Sequence, residues 1–369
     1  MCDVPALRFP GFSGEWHKHS LGEIGETIIG LTYKPSDVVA DNGIIVLRSS
    51  NIKNGVIDYS DLFRVNKHVK DRIITKENDI LVCSRNGSQR LIGKNAIIKR
   101  EDINNTFGAF MMVYRSNDNP FILPLLSTRR YISQVGENLG ARINQITTSD
   151  FNGFEFYFPE NHVERAKIAE LFRLLDERIA TQNKIIEKLE TLIKGIIETV
   201  ISSQKPNTLI KNCLECNSST LQEIQVAETG AFPVYGATGI SGYTETADIN
   251  GESILIIKDG SGVGIVKFVT GEYSYIGTLN SLIAKDGYCL KYIYFSLQRF
   301  SFEPYKTGMA IPHIYFKDYG KAKIYCPSLS LQTLIAQKLS LIENKMEVEK
   351  RIILCYQLQK SYLLSRMFI

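Results

Sequence analysis

The sequence has 369 residues, of which 44% are hydrophobic and 22% charged, a composition typical of folded proteins rather than disordered or fibrous ones. This length suggests two or three folding units, at roughly 100–200 residues each. The net charge is only +4, so charge alone gives a weak case for nucleic-acid binding. We find no apolar run long enough to cross a membrane and no secretory signal, and we therefore expect a cytoplasmic protein without a membrane partner.

Both halves of the chain are predicted to be rich in β-strands. Short apolar or alternating runs bounded by turn residues predict strands in the first half, at 43–47, 80–83, 96–99, 110–114 and 154–158. The same pattern predicts strands in the second half, at 253–257, 264–269, 281–285 and 322–326. Turns rich in glycine and asparagine separate them.

Two long helices are predicted from heptad spacing. From Ile168 to Val200, core-type positions recur at steps of four and three residues, with Gln182 as a polar exception. The same spacing returns 167 residues later, with Glu349 at the position that corresponds to Gln182. Either this shared polar exception fixes the register of two paired helices, or the seam is solvated there; the sequence leaves both open.

The repeat extends upstream of the helices. Segments 140–159 and 308–327 align at an offset of 168 residues, and both end in a short strand and a proline before the long helix. The matched pairs are Gly140/Gly308, Ile143/Ile311, Ile146/Ile314, Asp150/Asp318, Phe151/Tyr319, Phe156/Ile324, Tyr157/Tyr325 and Pro159/Pro327. Two copies of one module, a globular domain followed by a long helix, explain this pattern.

We therefore predict an α+β fold with two β-rich domains in tandem. Two long antiparallel coiled-coil helices would separate these domains, with an internal pseudo-twofold repeat. The predicted boundaries are a first domain at 1–159, a first spacer helix at 160–203, a second domain at 204–327 and a second spacer helix at 328–369.

Catalytic and metal-binding motifs are incomplete throughout the sequence. Segment 87–94 has one residue too many between its glycines for a phosphate-binding loop, and segment 119–121 lacks the second proline of an adenine methyltransferase motif. Cys213 and Cys216 have no second pair of ligands, so we interpret them as free thiols in a linker rather than as a zinc site. We predict that the chain is not itself an enzyme and holds no metal.

Loop residues suited to contacting DNA remain. Arg pairs with guanine, Asn and Gln pair with adenine, and Lys and Arg meet phosphates. In the first half the candidates are Ser49, Asn51, Arg64, Lys67, Lys70, Arg85, Asn86, Ser88, Gln89, Arg90 and Arg142. In the second half they are Tyr235, Thr238, Lys258, Ser261, Lys306, Thr307 and His313. For each residue alone, a solvated surface loop explains the sequence equally well.

Several motifs together resemble one known family. Segment 5–12 (PALRFPGF) with Glu15 and Trp16, segment 47–55 (LRSSNIKNG), and segment 233–240 (PVYGATGI) are similar to specificity subunits of Type I restriction–modification systems. The two aligned blocks that lead into the long helices complete the resemblance, which covers nearly the whole chain.

This resemblance implies that each globular domain recognises one half of a split double-stranded DNA sequence, while the helices set the gap between the halves. It further implies two modification subunits that bind S-adenosylmethionine and methylate adenines, and restriction subunits that use ATP and Mg and cleave the DNA, with no cofactor in this chain. Two alternatives stay open: a fused methyltransferase or nuclease with its own hidden active site, and a coiled-coil scaffold that binds only proteins.

Overall fold

The computed structural model describes residues 4–141, 144–308 and 310–369. The chain divides into two compact units, and each contains part of both long helices. Unit 1 consists of Met1–Gln182 and Ile352–Ile369, and unit 2 consists of Asn183–Arg351. Ile143 of the sequence repeat lies outside the described residues.

Unit 1 combines short strands with helices. Its strands in chain order are β1 Trp16–Ser20, β2 Glu26–Ile29, β3 Val38–Val39, β4 Ile44–Leu47, β5 Ile52–Lys53, β6 Val56–Ile57, β7 Arg64–Val65, β8 Ile80–Cys83, β9 Asn95–Ile97, β10 Thr106–Phe107, β11 Met111–Arg115 and β12 Glu155–Pro159. Its helices are α1 Leu21–Ile24, α2 Asn119–Leu125, α3 Arg129–Ala141, α4 Thr148–Asn152 and the first part of α5 His162–Ile197.

Unit 2 has longer strands. They are β13 Thr208–Leu209, β14 Leu214–Ser218, β15 Phe232–Gly236, β16 Gly239–Thr244, β17 Ile249–Ile257, β18 Val266–Tyr275, β19 Leu279–Ala284 and β20 Lys323–Ile324. A π-helical turn, Glu198–Ser202, follows α5. The remaining helices are α6 Ile210–Cys213, α7 Leu290–Gln298, α8 Phe316–Tyr319 and α9 Leu329–Met367, whose last part belongs to unit 1.

The two units repeat one sheet topology. In unit 1 the antiparallel strands lie in the order β2-β11-β8-β9, and in unit 2 the order β14-β19-β17-β18 has the same pairing directions. In each unit a separate antiparallel pair, β1 with β12 or β13 with β20, joins the start of the domain to the strand before the long helix. The strands near the ends of the two aligned segments, β12 and β20, therefore occupy matching places in the two units.

Each unit also has an addition of its own. Unit 1 carries a second sheet, β10-β4-β7-β3, in which β10 and β4 are parallel. Unit 2 extends its sheet with the hairpin β15–β16, and β15 pairs in parallel with β18. Because of these added strands, the two units share a framework but present different surfaces.

The long helices contribute to the core of each unit. In unit 1, Phe172 near the start of α5 packs against Phe368 just after the end of α9, with their ring centroids 5.6 Å apart. In unit 2, Ile197 at the end of α5 belongs to the same core as Ile335 and Leu339 near the start of α9. In both units, then, one end of one helix meets the opposite end of the other.

The polar residues of the two heptad seams are not both solvated. Glu349 is only 4% exposed and forms an ion pair with Lys345 one turn earlier, whereas Gln182 is half-buried. Solvation therefore does not explain the polar residue at Glu349. A role in setting register remains a prediction.

The two neighbouring cysteines lie inside unit 2 and not in a linker, which corrects that part of the prediction. Cys213 ends α6 and is buried, where its thiol donates to the carbonyl oxygen of Leu209 over 3.3 Å. Hydrogen bonding with Cys326, together with burial, raises the pKa of Cys213. Burial raises the pKa of Cys216, on β14, to about 11. Both thiols are free.

Membrane spans and metal clusters are both absent from the described part of the chain. Across residues 4–141, 144–308 and 310–369, no helix combines the length and the apolar composition that crossing a bilayer requires. Within those same ranges, His, Cys, Asp and Glu side chains do not gather in groups of three or more that could hold a metal ion.

Several helices were not predicted from the sequence. The globular domains were assigned strands alone, yet unit 1 contains α2 and α3 and unit 2 contains α7. The reason is clear for α7, whose sequence LKYIYFSLQ is a short apolar run. A run of this kind fits a buried strand as well as a buried helix.

Candidate nucleic-acid interface

In unit 1 a loop at 84–90 follows the buried strand β8 and is hydrogen-bonded to residues 144–146, which belong to the aligned segment 140–159. The Ile146 N–H donates to the carbonyl oxygen of Ser84 over 2.8 Å, and Arg85 forms an antiparallel bridge with Gln145. The Asn86 N–H donates to the Asn144 carbonyl oxygen over 3.4 Å. The loop thus has a defined backbone position at the end of the central strands.

Side chains of this loop meet residues from elsewhere in unit 1. Asn86 donates through Nδ2 to Oγ of Ser49 over 3.0 Å, and its Oδ1 accepts from the Ser88 N–H at 3.0 Å. The guanidinium of Arg85 lies 5.2 Å from the ring centroid of Phe110. The structure therefore places Ser49, Arg85, Asn86 and Ser88 in one cluster.

The neighbouring candidates extend this cluster at the surface. Gln89 and Arg90 lie in the 3-10 turn Gln89–Leu91, and both are exposed. Arg85 and Ser88 are exposed as well, whereas Ser49 and Asn86 are half-buried. Exposed Arg and Gln side chains beside a fixed Asn match the donor and acceptor pattern that base edges require.

Asn51, one of the predicted DNA-binding residues, lies instead in the interior of unit 1. Its side chain is fully buried, accepts from the Arg48 N–H, and donates to the carbonyl oxygens of Asp58 and Asp61 over 3.0 and 2.8 Å. These bonds use its donors and an acceptor to shape the loop around it. Asn51 stabilises the fold and cannot reach a base edge from this position.

The basic candidates between 64 and 70 lie by the second sheet of unit 1. Arg64, on β7, donates to the carbonyl oxygen of Gly43 over 3.1 Å and is half-buried. Lys67 donates to the carbonyl oxygen of Thr32 and lies 3.6 Å from Asp37, while Lys70 is exposed. The hydrogen bond from the Lys34 N–H is the main cause that lowers the pKa of Asp37, and the positive charge of Lys67 lowers it further. Arg142 lies outside the described residues.

Unit 2 has a matching pair of segments at 258–264 and 307–314. The Ile314 N–H donates to the carbonyl oxygen of Lys258 over 2.9 Å, as Ile146 does to Ser84 in unit 1. Asp259 forms an antiparallel bridge with His313, as Arg85 does with Gln145. The corresponding loop of each unit therefore follows a central strand and is held by the same repeat segment.

The candidates of unit 2 divide into two groups. Lys258, Ser261, Thr307 and His313 lie on the paired segments, and the His313 ring packs edge to face against Tyr315 at 5.1 Å. Lys306 forms an ion pair with Glu303, three residues earlier.

The second group surrounds a small cavity next to these segments. Lys267 places its Nζ 4.7 Å from the ring centroid of Tyr235. A cavity of about 130 Å³ lies beside them and is also lined by Thr238, Ile257 and Ile265. Because Ile257 directly precedes Lys258, the cavity adjoins the first group of candidates.

Three residues of these surfaces were missed from the sequence. Phe110 was predicted as the first residue of a strand at 110–114, yet it lies in a turn and is 60% exposed. Ile265 is 61% exposed, and Lys267 is exposed on β18. The exposure of these side chains depends on tertiary packing and cannot be read from the sequence.

Comparison with known proteins gives a family match over most of the chain. Residues 13–191 and 210–354 match the family described as Type I restriction modification DNA specificity domain. The StySPI specificity subunit of a Type I restriction enzyme from Salmonella potsdam is 25% identical over 251 residues, which cover 66% of this chain and 53% of that relative. The EcoKI specificity subunit from Escherichia coli K12 is 27% identical over 192 residues, or 50% of this chain and 37% of that relative. The chain spans about half the length, or less, of these curated relatives.

Solved structures show a similar fold. The S subunit of a Type I restriction–modification system from M. genitalium superposes with a TM-score of 0.70 and 18% identity, over 99% of both chains. A second structure, titled for complex assembly and conformational transition of the type I R-M system, gives a TM-score of 0.52 and 15% identity over 98% of this chain and 99% of that chain. The predicted mixture of helices and sheets, with two such domains in tandem, is thereby confirmed.

Proposed function

Since the chain belongs to the family of Type I restriction modification DNA specificity domains, we propose that it is a non-catalytic subunit that recognises a bipartite DNA sequence. Each unit would bind one half of that sequence. Partner subunits would then methylate adenines at the site and cleave DNA that lacks the methylation.

The repeated loop is the observation that carries this proposal. In both units a loop follows a central strand and is held by the same repeat segment, through the bonds of Ile146 to Ser84 and of Ile314 to Lys258. The framework is shared, yet the side chains differ: Arg85 in unit 1 corresponds to Asp259 in unit 2. A shared framework with different side chains suits two half-sites of different sequence.

The chemistry of the two surfaces supports direct contact with base edges. In unit 1, Arg85 can pair with guanine, and Asn86 and Gln89 can pair with adenine. In unit 2, Ser261 and His313 supply hydrogen-bonding groups, and Lys258 can meet a phosphate. These residue roles remain predictions.

We further propose that α5 and α9 form an antiparallel coiled coil, with pseudo-twofold symmetry, that sets the gap between the half-sites. The heptad spacing supports this, as does the packing of opposite helix ends in the core of each unit. In this proposal the recognition domains are 1–159 and 204–327, and the spacers are 160–203 and 328–369. Because a helix rises about 1.5 Å per residue, its length acts as a ruler.

Partners follow from the family. The curated relatives are subunits of Type I restriction enzymes, and one neighbouring structure is titled for assembly of such a complex. We propose two modification subunits that bind S-adenosylmethionine, and restriction subunits that use ATP and Mg. With a net charge of only +4, this chain would bind DNA weakly alone, and its partners would supply much of the phosphate contact.

The proposal is tested by mapping methylated adenines across the host genome, with and without this gene. We expect a bipartite methylated sequence to disappear when the gene is deleted and to return when the gene is supplied on a plasmid. Expression of the modification subunit should be measured in parallel as the control. An unchanged methylation pattern in the deletion strain, with the modification subunit still expressed, would show that the chain does not specify methylation.

A further inference from the structure

Phe110 is an exposed aromatic residue on a firmly held backbone. It lies in the turn between β10 and β11, and its side chain is 60% exposed. Its carbonyl oxygen accepts three hydrogen bonds, from the N–H groups of Ser84 and Arg85 at 3.0 and 3.1 Å and from Oγ of Ser84 at 2.9 Å. The backbone of Phe110 is thus tied directly to the start of loop 84–90.

The same turn is also held from its other side. The Leu31 N–H donates to the carbonyl oxygen of Phe107 over 2.6 Å. Gly30 approaches so closely that an added Cβ would lie 2.2 Å from the carbonyl oxygen of Gly108. Only glycine permits this contact, so the turn packs closely against the backbone of Gly30 on this side.

Exposure of this ring forgoes the hydrophobic gain that burial of a phenyl group would bring to folding. The guanidinium of Arg85 covers part of the ring, at 5.2 Å from its centroid, in a cation–π contact. Aromatic rings and arginine side chains are enriched in binding interfaces. This ring lies within the cluster of Ser49, Asn86 and Ser88, so its partner would be the same ligand.

We propose that Phe110 is a specificity-determining residue that packs against the C5 methyl group of a thymine, while Arg85 pairs with a guanine in the adjacent base pair. This inference rests on the proposed function of DNA recognition. The thymine methyl is the apolar group that a base edge presents in the major groove, and Arg pairs there with O6 and N7 of guanine. A phenyl ring has no charge or hydrogen-bond donor with which to bind a phosphate, so a contact with the DNA backbone does not explain the exposed ring of Phe110.

The test uses the complex of this chain with its modification subunits. Once genome-wide mapping has given the methylated sequence, binding is measured to duplexes in which deoxyuridine replaces each thymine in turn, so that only the C5 methyl is lost. We expect one position in one half-site to weaken binding about fourfold, the value of burying one methyl group. In the complex with Phe110→Ala, deoxyuridine at that position should have no further effect.

Two controls show whether the deoxyuridine effect belongs to the ring of Phe110. Ile132→Ala removes a side chain of similar exposure, 64%, on α3 of the same unit, and the complex should keep the deoxyuridine effect. Phe110→Ala should leave the salt dependence of binding unchanged, because no phosphate contact is lost.

Three outcomes would overturn the proposal. In the first, no single deoxyuridine substitution weakens binding by the wild-type complex. In the second, the deoxyuridine effect persists in the complex with Phe110→Ala. In the third, Phe110→Ala loses the same affinity for every duplex, which would indicate a ring inserted between bases. Failure of the proposed function would look different, since the wild-type complex would then bind the mapped sequence no more tightly than a duplex in which both half-sites are scrambled.

Discussion

Replacement of Arg8 by methionine should destabilise unit 1 by about 3–5 kcal/mol, because it leaves a buried carboxylate without its partner. Arg8 donates to both carboxylate oxygens of Glu164, from Nε over 2.6 Å and from Nη2 over 2.7 Å. Glu164 is fully buried in the first turn of α5, and the side chain of Arg8 is only 14% exposed. Arg8 also donates to the carbonyl oxygens of Ser13 and Gly14, so it holds the N-terminal segment on the helix.

Fluorescence of Trp16 during urea unfolding measures this effect. Trp16 is the one tryptophan of the sequence and is buried in the core of unit 1, so its signal reports that unit. Arg173→Met is the matched control, because Arg173 pairs with Glu170 and Glu177 at the surface and should contribute less than about 1 kcal/mol. Equal shifts of the two midpoints would contradict a stabilising role for the buried pair. Adding Glu164→Leu to Arg8→Met should recover much of the loss.

Replacement of Phe368 by alanine should cost unit 1 about 3–5 kcal/mol, although this residue is the last but one of the chain. Its ring packs against three aromatic rings of the core: those of Trp16, Phe121 and Phe172, at centroid distances of 6.3, 5.8 and 5.6 Å. It is 8% exposed, so truncation leaves a cavity between elements that are far apart in sequence.

The same urea experiment measures the loss of Phe368. Tyr362→Ala on α9 is the control, because Tyr362 is 59% exposed and its removal should change the midpoint little. If Phe368→Ala unfolds at the wild-type midpoint, the ring of Phe368 does not stabilise the core of unit 1. A large shift for both variants would instead indicate a general weakening of the helix.

Strong local patterns predicted their elements well. Strand β8 has the predicted bounds, Ile80–Cys83, because its apolar run is short and bordered by turns. The second long helix, predicted at 328–369, spans Leu329–Met367. Heptad spacing over many turns leaves little ambiguity of type.

Elements that depend on distant partners were missed. Strand β1 has the largely polar sequence WHKHS and was not predicted, since it forms by pairing with β12 about 140 residues later. Sheet order and the short strands β3, β5, β6 and β7 likewise depend on tertiary contacts and were not predicted, whereas β4 was predicted at 43–47. Propensity is a weak guide where packing decides the structure.

The candidate site shows the same limit. Asn51 and Asn86 both lie in polar, turn-like segments. Asn51 is fully buried and hydrogen-bonded to its own loop, whereas Asn86 adjoins the exposed Arg85. The sequence cannot separate an asparagine that shapes a loop from one that meets a ligand, because that depends on burial. Phe110 was hidden by a boundary error of one residue, since β11 begins at Met111.

The central claim, that two units each recognise one half-site, is tested most directly by exchanging one recognition domain. Residues 20–155 are replaced by the corresponding segment of a relative with a different target, and methylated adenines are mapped across the genome. We expect one half of the methylated sequence to change, while the other half and the gap between them stay as they were. A change in both halves, or in neither, would contradict the claim.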